Sequence, residues 1–258
     1  MKIISSAENV KFKEILNLVR SNKSRARTGL TLLDGIHLID GYLKNVGLPK
    51  MILVNADYFH RTEIQEIAQR LPNNLIIILT NSLFKKLSST TTPTGILAII
   101  SIPSIDPTLE CSNSIWLDGI QDPGNLGSIL RSAAATGIDI AYLSKNSVAA
   151  WSPKVLRAGM GAHFSLGIVE DVDFSELSNS YQGKVIGTVC HAPKTIFEAD
   201  FSGNLALVFG NEGAGVSKPV LDLCHELVSI PLSGEIESLN VAATAAICLY
   251  ERLRQIAA

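Results

Sequence analysis

The chain has 258 residues, of which 47% are apolar and 18% are charged, a composition that can build a sizeable core and excludes a disordered chain. This length fits one large domain or two modest ones. The longest apolar runs, near residues 75–79 and 96–102, are far shorter than the roughly 18 residues that span a bilayer. Because the N-terminal residues also lack the pattern of a signal peptide, we expect a cytoplasmic protein that does not bind membranes.

The residues that most often bind metals are scattered along the chain. The four cysteines form no CxxC pair, and the motifs HExxH, DxDxD and GxSxG are absent. We therefore expect reduced, buried thiols, histidines with structural or surface roles, and no metal site.

The net charge of −2 is unevenly distributed. Residues 1–27 carry seven basic and two acidic side chains, which leaves −7 for the rest. Lys23, Arg25 and Arg27 belong to a polar segment that is predicted as a loop after a helix at 10–19. A basic arm on an acidic body is typical of proteins that contact phosphates, but a solvated helix face would give the same charges.

Strands and helices alternate in the first hundred residues, which predicts a small α/β domain. The predicted helices cover residues 10–19, 36–43, 62–70 and 82–87, and the predicted strands cover 30–33, 50–54, 75–79 and 95–102. A polar segment with two prolines follows and predicts a linker at 105–112. The expected domains are therefore 1–104 and 113–258.

Alternation resumes in the second half and predicts a mostly parallel sheet with helices on both faces. The predicted strands cover residues 115–117, 138–143, 166–169, 184–189, 204–209 and 227–231, and the predicted helices cover 128–136, 153–159, 174–181, 219–224 and 239–257. The last helix is apolar nearly all round. It is therefore expected to be buried, either within the molecule or against another chain.

Three loops of this second domain should lie beyond the carboxyl ends of its strands, where parallel α/β sheets bind ligands. The first carries Gly124, Asn125, Gly127 and Arg131, and its glycines predict a tight bend before a helix. Asn125 and Arg131 are expected to face the same opening. An exposed helix arginine is the alternative.

The second and third loops add a carboxylate, a serine and an asparagine. Three glycines surround Glu212, which indicates close backbone approach to a ligand or a tight crossing of loops, and Glu212 is a candidate partner for Arg131. Ser238 and Asn240 precede the last helix, where capping is the simplest explanation.

These loops resemble those of the SpoU-type RNA ribose 2′-O-methyltransferases of the SPOUT superfamily. The resemblance rests on the motifs DPGNLGSILRSAAATG, VFGNEGAGVS and SIPLSGEIESLNVAATAAICLYE, with WSPKVLRAGMGA between the first two. The first half resembles the ribosomal-protein-like RNA-binding domain that is often fused to this family, through RTGLTLLDGIHLI and TPTGILAII.

The resemblance implies a small α/β/α RNA-binding domain followed by a SPOUT domain with a C-terminal trefoil knot. It also implies S-adenosylmethionine as cofactor, RNA as substrate and a homodimer. Carried over residue by residue, it gives cofactor contacts at Gly210, Ile230 and Leu239. The implied catalytic residues are Asn125, Arg131, Glu212, Ser238 and Asn240. One departure is Ala242, which stands where many relatives have a second serine.

Arg131 has the central role in the implied reaction. A guanidinium stays protonated in proteins, so Arg131 is expected to hold the adjacent phosphate and stabilise developing alkoxide charge, although a role as base stays open. Glu212 is expected to orient Arg131, while Asn125, Ser238 and Asn240 fix the loops and the ribose. The expected RNA contacts are Lys23, Arg25, Arg27 and Arg157.

Several alternatives remain open at this point. A nucleotide-dependent oxidoreductase is disfavoured because GxGxxG is absent, and a non-catalytic RNA-binding protein is disfavoured because the implied catalytic residues are intact. Ribosomal RNA is the expected substrate. Transfer RNA and a resistance-conferring methylation of ribosomal RNA are the alternatives.

Overall fold

The computed structural model describes residues 2–103 and 113–257, which form two compact units. The first unit contains the residues up to 103 together with Trp151–Phe164, and the second contains the remaining described residues. The predicted linker lies outside the described residues. Sequence order did not predict that Trp151–Phe164 groups with the first unit.

The first unit is built on a five-stranded mixed sheet with the order β1-β4-β3-β5-β2. Strands β1, β4 and β3 run parallel, and β5 is antiparallel to both β3 and β2. The strands are β1 (Lys2–Ile4), β2 (Leu30–Asp34), β3 (Met51–Asn55), β4 (Ile76–Leu79) and β5 (Ile96–Ser101). Strand β1 was not predicted, because three residues are too few for a periodic pattern.

Helices cover this sheet with apolar faces that the 3.6-residue period predicts. The helices are α1 (Val10–Arg20), α2 (Asn22–Thr28), α3 (Ile36–Asn45), α4 (Thr62–Gln69), α5 (Asn81–Leu87) and, from the later part of the chain, α7 (Pro153–Gly159), with 3₁₀ turns at Ala56–Tyr58, Asn73–Leu75 and Ala162–Phe164. In the core, Phe12 and Ile15 of α1 pack with Leu83 and Phe84 of α5.

Helix α2 corrects the sequence analysis, which predicted a loop there. The Ser21 hydroxyl caps the helix by accepting from the Ser24 N–H at 3.2 Å, and Gly29 ends it at a φ of +63°. A capping serine and a left-handed glycine are ordinary helix boundaries, and both signals were present in the sequence.

The second unit is built on a seven-stranded sheet with the order β10-β12-β9-β11-β6-β7-β8. Every described strand pair in it is parallel, which confirms the predicted architecture. Its strands are β6 (Ser114–Asp118), β7 (Ile140–Ser144), β8 (Gly167–Val172), β9 (Lys184–Thr188), β10 (Lys194–Thr195), β11 (Leu205–Gly210) and β12 (Glu226–Ser229), and its helices are α6 (Pro123–Ala135), α8 (Phe174–Ser180), α9 (Lys218–Leu221) and α10 (Val241–Ile256).

Both faces of this sheet are covered, as a parallel sheet requires. Every residue of β11 is buried. On one face, Trp116 stacks on Phe174 with ring centroids 5.2 Å apart and meets Tyr181 edge to face. Helices α6 and α10 pack together, and α10 also contacts β11.

Strand β12 lies between β9 and β10, although these two strands are joined by only five residues. Thr188 of β9 and Lys194 of β10 pair with the same residue, Val228. Residues 189–193 therefore pass across β12. The chain that follows Ser229 leaves the sheet beside this crossing.

The expectation of buried thiols is only partly correct. Cys248 is buried, but Cys190 is exposed, and Cys111 lies outside the described residues. In the described part of the chain, no helix has the length and apolar character needed to cross a membrane.

Candidate active site

The carboxyl ends of β9, β11 and β12 surround a cavity of about 370 Å³. Its wall contains the three residues carried over as cofactor contacts, Gly210, Ile230 and Leu239. Ser238, in the loop before α10, also lines it. A site beyond the carboxyl ends of parallel strands is the usual ligand position in such sheets. The structure therefore brings these four predicted residues together around one cavity.

Gly210 is required by a close approach between two backbone segments. A Cβ atom at this position would lie 2.1 Å from the Gly215 carbonyl carbon and 2.1 Å from the Val216 nitrogen. The loop turns back tightly because Asn211 and Gly215 exchange two backbone hydrogen bonds of 3.0 and 2.9 Å. Gly215 has a φ of +72°, a conformation that glycine adopts without steric cost.

Glu212, at the tip of this glycine loop, accepts hydrogen bonds from the start of α6. Its carboxylate accepts from the Gln121 N–H at 3.2 Å, the Asp122 N–H at 3.0 Å and the Asn125 side-chain amide at 3.1 Å. The glycine loop and the α6 N-terminus are thereby tied together. A carboxylate is well placed there, since helix N-termini favour negative charge.

These contacts also set the charge state of Glu212. Burial by itself would raise the pKa of this carboxyl, but hydrogen bonds from the Asn125 amide and from the backbone N–H groups of Glu212, Asp122 and Gln121 together hold the pKa below its ordinary value. Glu212 is therefore an anion at neutral pH.

Asn240 extends this network to the last helix. Its side-chain oxygen caps α10 by accepting from the Ala242 and Ala243 N–H groups at 2.9 and 3.3 Å. Its side-chain amide donates to the Asn125 Oδ1 atom at 3.0 Å. Asn240, rather than Ser238, is thus the N-terminal cap of α10. The contacts from Asn240 to Asn125 and from Asn125 to Glu212 connect three segments that are far apart in sequence.

Arg131 does not join this network. Its side chain is exposed, and in the part of the chain that the structure describes it forms no ion pair with Glu212. Asn125 and Arg131 are six residues apart on one helix, about 1.7 turns, so their side chains point in different directions. The described contacts of Glu212 are with Gln121, Asp122 and Asn125, so its expected role in orienting Arg131 stays a prediction.

Helix α6 also begins earlier than predicted. Asp122 caps it by accepting from the Asn125 N–H at 2.8 Å, and Pro123 occupies its first turn. Gly124 and Gly127 therefore lie inside the helix instead of forming a bend before it. The pair Asp122–Pro123 was the available signal, because aspartate at the cap and proline in the first turn is a common helix start.

Sequence reasoning missed two residues that shape the site. Asn211 holds the glycine loop by accepting from the Gly213 N–H at 2.9 Å and donating to the Gly119 carbonyl at 2.8 Å. Asp118, at the end of β6, accepts from the Ser217 N–H at 2.8 Å. A polar side chain at the carboxyl end of a buried strand was the signal for both.

The four predicted RNA contacts lie in the first unit, and one of them is inaccessible. Arg25 is only 5% exposed and donates to the Leu18 carbonyl at 2.8 Å. Because its guanidinium is turned into the unit, we remove Arg25 from the RNA-binding set. Lys23 and Arg27 are exposed on α2, and Arg157 is exposed on α7.

Two known families match the chain, one in each half. Residues 112–250 match the SpoU rRNA Methylase family, and residues 9–98 match the MRM3-like substrate binding domain. The first match covers more than half of the chain.

Individual relatives agree with these matches. The chain is 33% identical over 257 residues to the 23S rRNA (guanosine(2553)-2′-O)-methyltransferase RlmP of Bacillus subtilis, a match that covers 97% of this chain and 98% of that protein. It is 29% identical to the human mitochondrial rRNA methyltransferase 3, over 95% of this chain and 72% of the relative.

Solved structures share the whole fold. The SpoU methyltransferase AviRb from Streptomyces viridochromogenes, solved in complex with the cofactor AdoMet, has a TM-score of 0.88 at 26% identity and covers 97% of this chain and 99% of its own. An RNA 2′-O ribose methyltransferase has a TM-score of 0.83 at 28% identity, with 99% and 100% coverage. The chain therefore belongs to the SpoU rRNA methylase family and is an RNA 2′-O-methyltransferase.

Proposed function

We propose that this protein uses S-adenosylmethionine to methylate a ribose 2′-hydroxyl of ribosomal RNA in the cytoplasm. One observation carries the proposal: the cavity formed by Gly210, Ile230 and Leu239 is also lined by Glu212, whose carboxylate accepts a hydrogen bond from Asn125 and is linked through Asn125 to Asn240. Pocket and polar network thus share one residue. The relatives that methylate 23S rRNA support the choice of substrate.

The cavity fits the proposed cofactor in size and chemistry. A volume of about 370 Å³ lies in the usual range for small-ligand pockets. Ile230 and Leu239 offer apolar surface for an adenine ring, and the backbone around Gly210 offers hydrogen-bonding groups. When bound, S-adenosylmethionine supplies a methyl group that is already activated by its positive sulfur.

The protein residues then have to align the ribose and help its hydroxyl lose a proton. In this proposal Arg131 contacts the RNA phosphate next to the methylated ribose and stabilises the alkoxide that develops on the ribose oxygen. A guanidinium suits this role because it is a strong, permanently charged donor to oxygen anions. Glu212, Asn125 and Asn240 hold the loops in place. Ser238, which lines the cavity with an exposed side chain, would contact the ribose.

A homodimer is part of the proposal. Ala243, Ile247 and Tyr250 lie on one face of α10 at helical spacing, and all three are exposed, whereas Ala245, Cys248 and Leu249 on the opposite face are buried. Exposed apolar side chains in a continuous stripe are typical of surfaces that bind another protein. We also propose that the crossing of residues 189–193 over β12 belongs to a trefoil knot.

The test is methyl transfer in vitro. The protein is incubated with S-adenosylmethionine carrying a labelled methyl group and with either protein-free 23S rRNA or bulk transfer RNA. We expect label in the ribosomal RNA, within dinucleotides that survive alkaline hydrolysis, because a methylated 2′-oxygen cannot attack the neighbouring phosphate. Label in transfer RNA alone would transfer the proposal to that substrate, and label in the bases would contradict it.

A further inference from the structure

The first unit carries a basic surface of which the sequence analysis identified only Arg157. Two segments of this unit, residues 81–95 and Trp151–Phe164, contain Lys85, Lys86, Lys154 and Arg157 and no aspartate or glutamate. All four cationic side chains are exposed. No acidic side chain within either segment offsets these four charges.

The structure brings these segments together, although they are about 70 residues apart. Arg157 reaches the Ser89 carbonyl at 3.5 Å, and Lys85 and Lys86 lie in the last turn of α5, within four residues of Ser89. Helix α7 packs on β2, where the Thr31 hydroxyl donates to the Trp151 carbonyl at 2.6 Å. Arg157 therefore lies beside the loop 88–94, which directly follows Lys85 and Lys86 in the chain, and Lys154 lies one turn earlier on α7.

The loop between them is rich in hydroxyl groups and firmly held. Residues 88–94 contain two serines and four threonines. The buried carboxylate of Asp34 in β2 accepts from the Ser88 hydroxyl at 2.8 Å and from the Ser89 N–H at 2.9 Å. The Asp34 carboxylate thus anchors the loop. Thr91 and Thr92, further along the loop, are exposed to solvent. Lysine, arginine and hydroxyl side chains are the usual contacts to phosphate and sugar oxygens.

Three of the seven basic side chains in residues 1–27 are already occupied. Lys13 pairs with Glu8, Lys11 pairs with Glu14 at 3.4 Å, and Arg25 is buried. A paired cation gives up an existing partner when it binds a phosphate, so it contributes less to RNA affinity.

We propose that Lys85, Lys86, Lys154 and Arg157, with the hydroxyl loop 88–94 between them, form a contact of the first unit with the sugar-phosphate backbone of RNA. This inference rests on the proposed function, since it concerns the RNA that the enzyme methylates. It assigns to α7, which falls within the matched methylase segment, a role in holding RNA as part of the first unit.

The test compares wild-type protein with a variant in which Lys85, Lys86, Lys154 and Arg157 are all changed to Gln. Binding to protein-free 23S rRNA is measured over a range of salt concentrations. Each lost phosphate contact makes the negative slope of log K against log salt shallower by about 0.7–0.9, so we expect the slope to become shallower by about 3. The dissociation constant at moderate salt should rise at least tenfold. In the transfer assay, KM for RNA should rise while kcat is retained.

The matched control removes four charges from the same unit at cations that are paired with carboxylates: Lys11, Lys13, Lys44 and Arg70, each changed to Gln. We expect this control to keep at least half of the wild-type affinity. Equal losses in both variants would show that only overall charge matters and would overturn the proposal. Should the fourfold variant fail to fold, the pairs Lys85→Gln/Lys86→Gln and Lys154→Gln/Arg157→Gln test it, each with about half of the slope change.

Failure of this inference is distinguishable from failure of the proposed function. If the wild-type protein methylates RNA and the fourfold variant binds RNA as well as the control does, the surface is wrong and the function stands. If the wild-type protein binds RNA through this surface but transfers no methyl group, the surface stands and the function is wrong.

Discussion

The side-chain amide of Asn125 donates to the carboxylate of Glu212 at 3.1 Å, although 87 positions separate the two residues in sequence. This contact joins the first turn of α6 to the glycine loop that lines the cavity. Because Glu212 also accepts from two backbone N–H groups at the α6 N-terminus, the contact fixes both segments at once. The site is therefore held by a network that extends across the sheet edge.

Removing either partner should weaken both the fold and the reaction. For Asn125→Ala and Glu212→Ala we expect losses of unfolding free energy of about 0.5–1.5 kcal/mol each, because each variant loses a solvent-accessible hydrogen bond of the network. The double variant should lose less than the sum, with a coupling of about 0.5 kcal/mol or more. Chemical denaturation of the four proteins measures this coupling, and strictly additive losses would contradict the network.

Arg131 should act in the reaction without contributing to the fold. Its side chain is exposed, so Arg131→Ala should leave the melting temperature and S-adenosylmethionine affinity unchanged. Methyl transfer should fall at least about a hundredfold, the scale of a lost oxyanion donor. Arg131→Lys, which keeps the charge but loses the planar fork, should recover only part of the rate. An alanine variant with near-normal turnover would remove Arg131 from the mechanism.

Gly210 should tolerate no side chain. In Gly210→Ala the new Cβ atom would meet backbone atoms at 2.1 Å, so the glycine loop has to move. We expect loss of S-adenosylmethionine binding by calorimetry and a lower melting temperature. Gly213→Ala in the same loop is the steric control for stability, because the nearest atom to its Cβ is 3.7 Å away. Equal melting temperatures for the two variants would refute the close approach.

The sequence predicted the alternating architecture because apolar periodicity is a local signal that each strand and helix carries by itself. It missed β1 and β10, of three and two residues, because such short strands exist only through their partners. The family motifs predicted which residues belong to the site. They could not predict which of these residues touch, since contacts such as Asn240–Asn125 depend on how distant segments meet.

Arg25 and Arg131 show that local sequence does not predict which arginine side chains are buried. Arg25 lies in a polar segment and Arg131 in an alanine-rich helix, yet Arg25 is buried against the end of α1 and Arg131 is exposed. Charge counting treats them alike, because local sequence does not show which cations the fold turns inward. The grouping of Trp151–Phe164 with the first unit was equally invisible to sequence order.

Glu251 should make stability dependent on acid. Hydrogen bonds from Arg254, the largest cause, and from Gln255 lower the pKa of this buried carboxyl to about 2. Because the pKa is lower in the folded state than the ordinary value of 4.5, ionised Glu251 stabilises the folded state at pH values above 4.5. This contribution is lost as the pH falls towards 2. Glu251→Gln should therefore cost about 1.5–3 kcal/mol at pH 7 and almost nothing near pH 2. Denaturation at both pH values checks this, and a cost independent of pH would contradict it.

The exposed face of α10 should control assembly. Ile247 and Tyr250 are 37% and 53% exposed, so charges there should not disturb the core. We expect Ile247→Glu/Tyr250→Glu to halve the mass measured by light scattering while the melting curve stays cooperative. Val10→Glu, at an exposed apolar position on α1, should leave the mass unchanged. A wild-type protein that is already monomeric would contradict the proposed dimer.

The central claim is that this protein places a methyl group on one ribose oxygen of ribosomal RNA, and mapping 2′-O-methylated nucleotides in cellular RNA tests it most directly. Cells with the wild-type gene, without it and with only Arg131→Ala are compared. We predict one 2′-O-methyl position in the large-subunit RNA that is present with the wild-type gene and lost in the other two. Identical 2′-O-methylation of ribosomal RNA in all three would contradict the account.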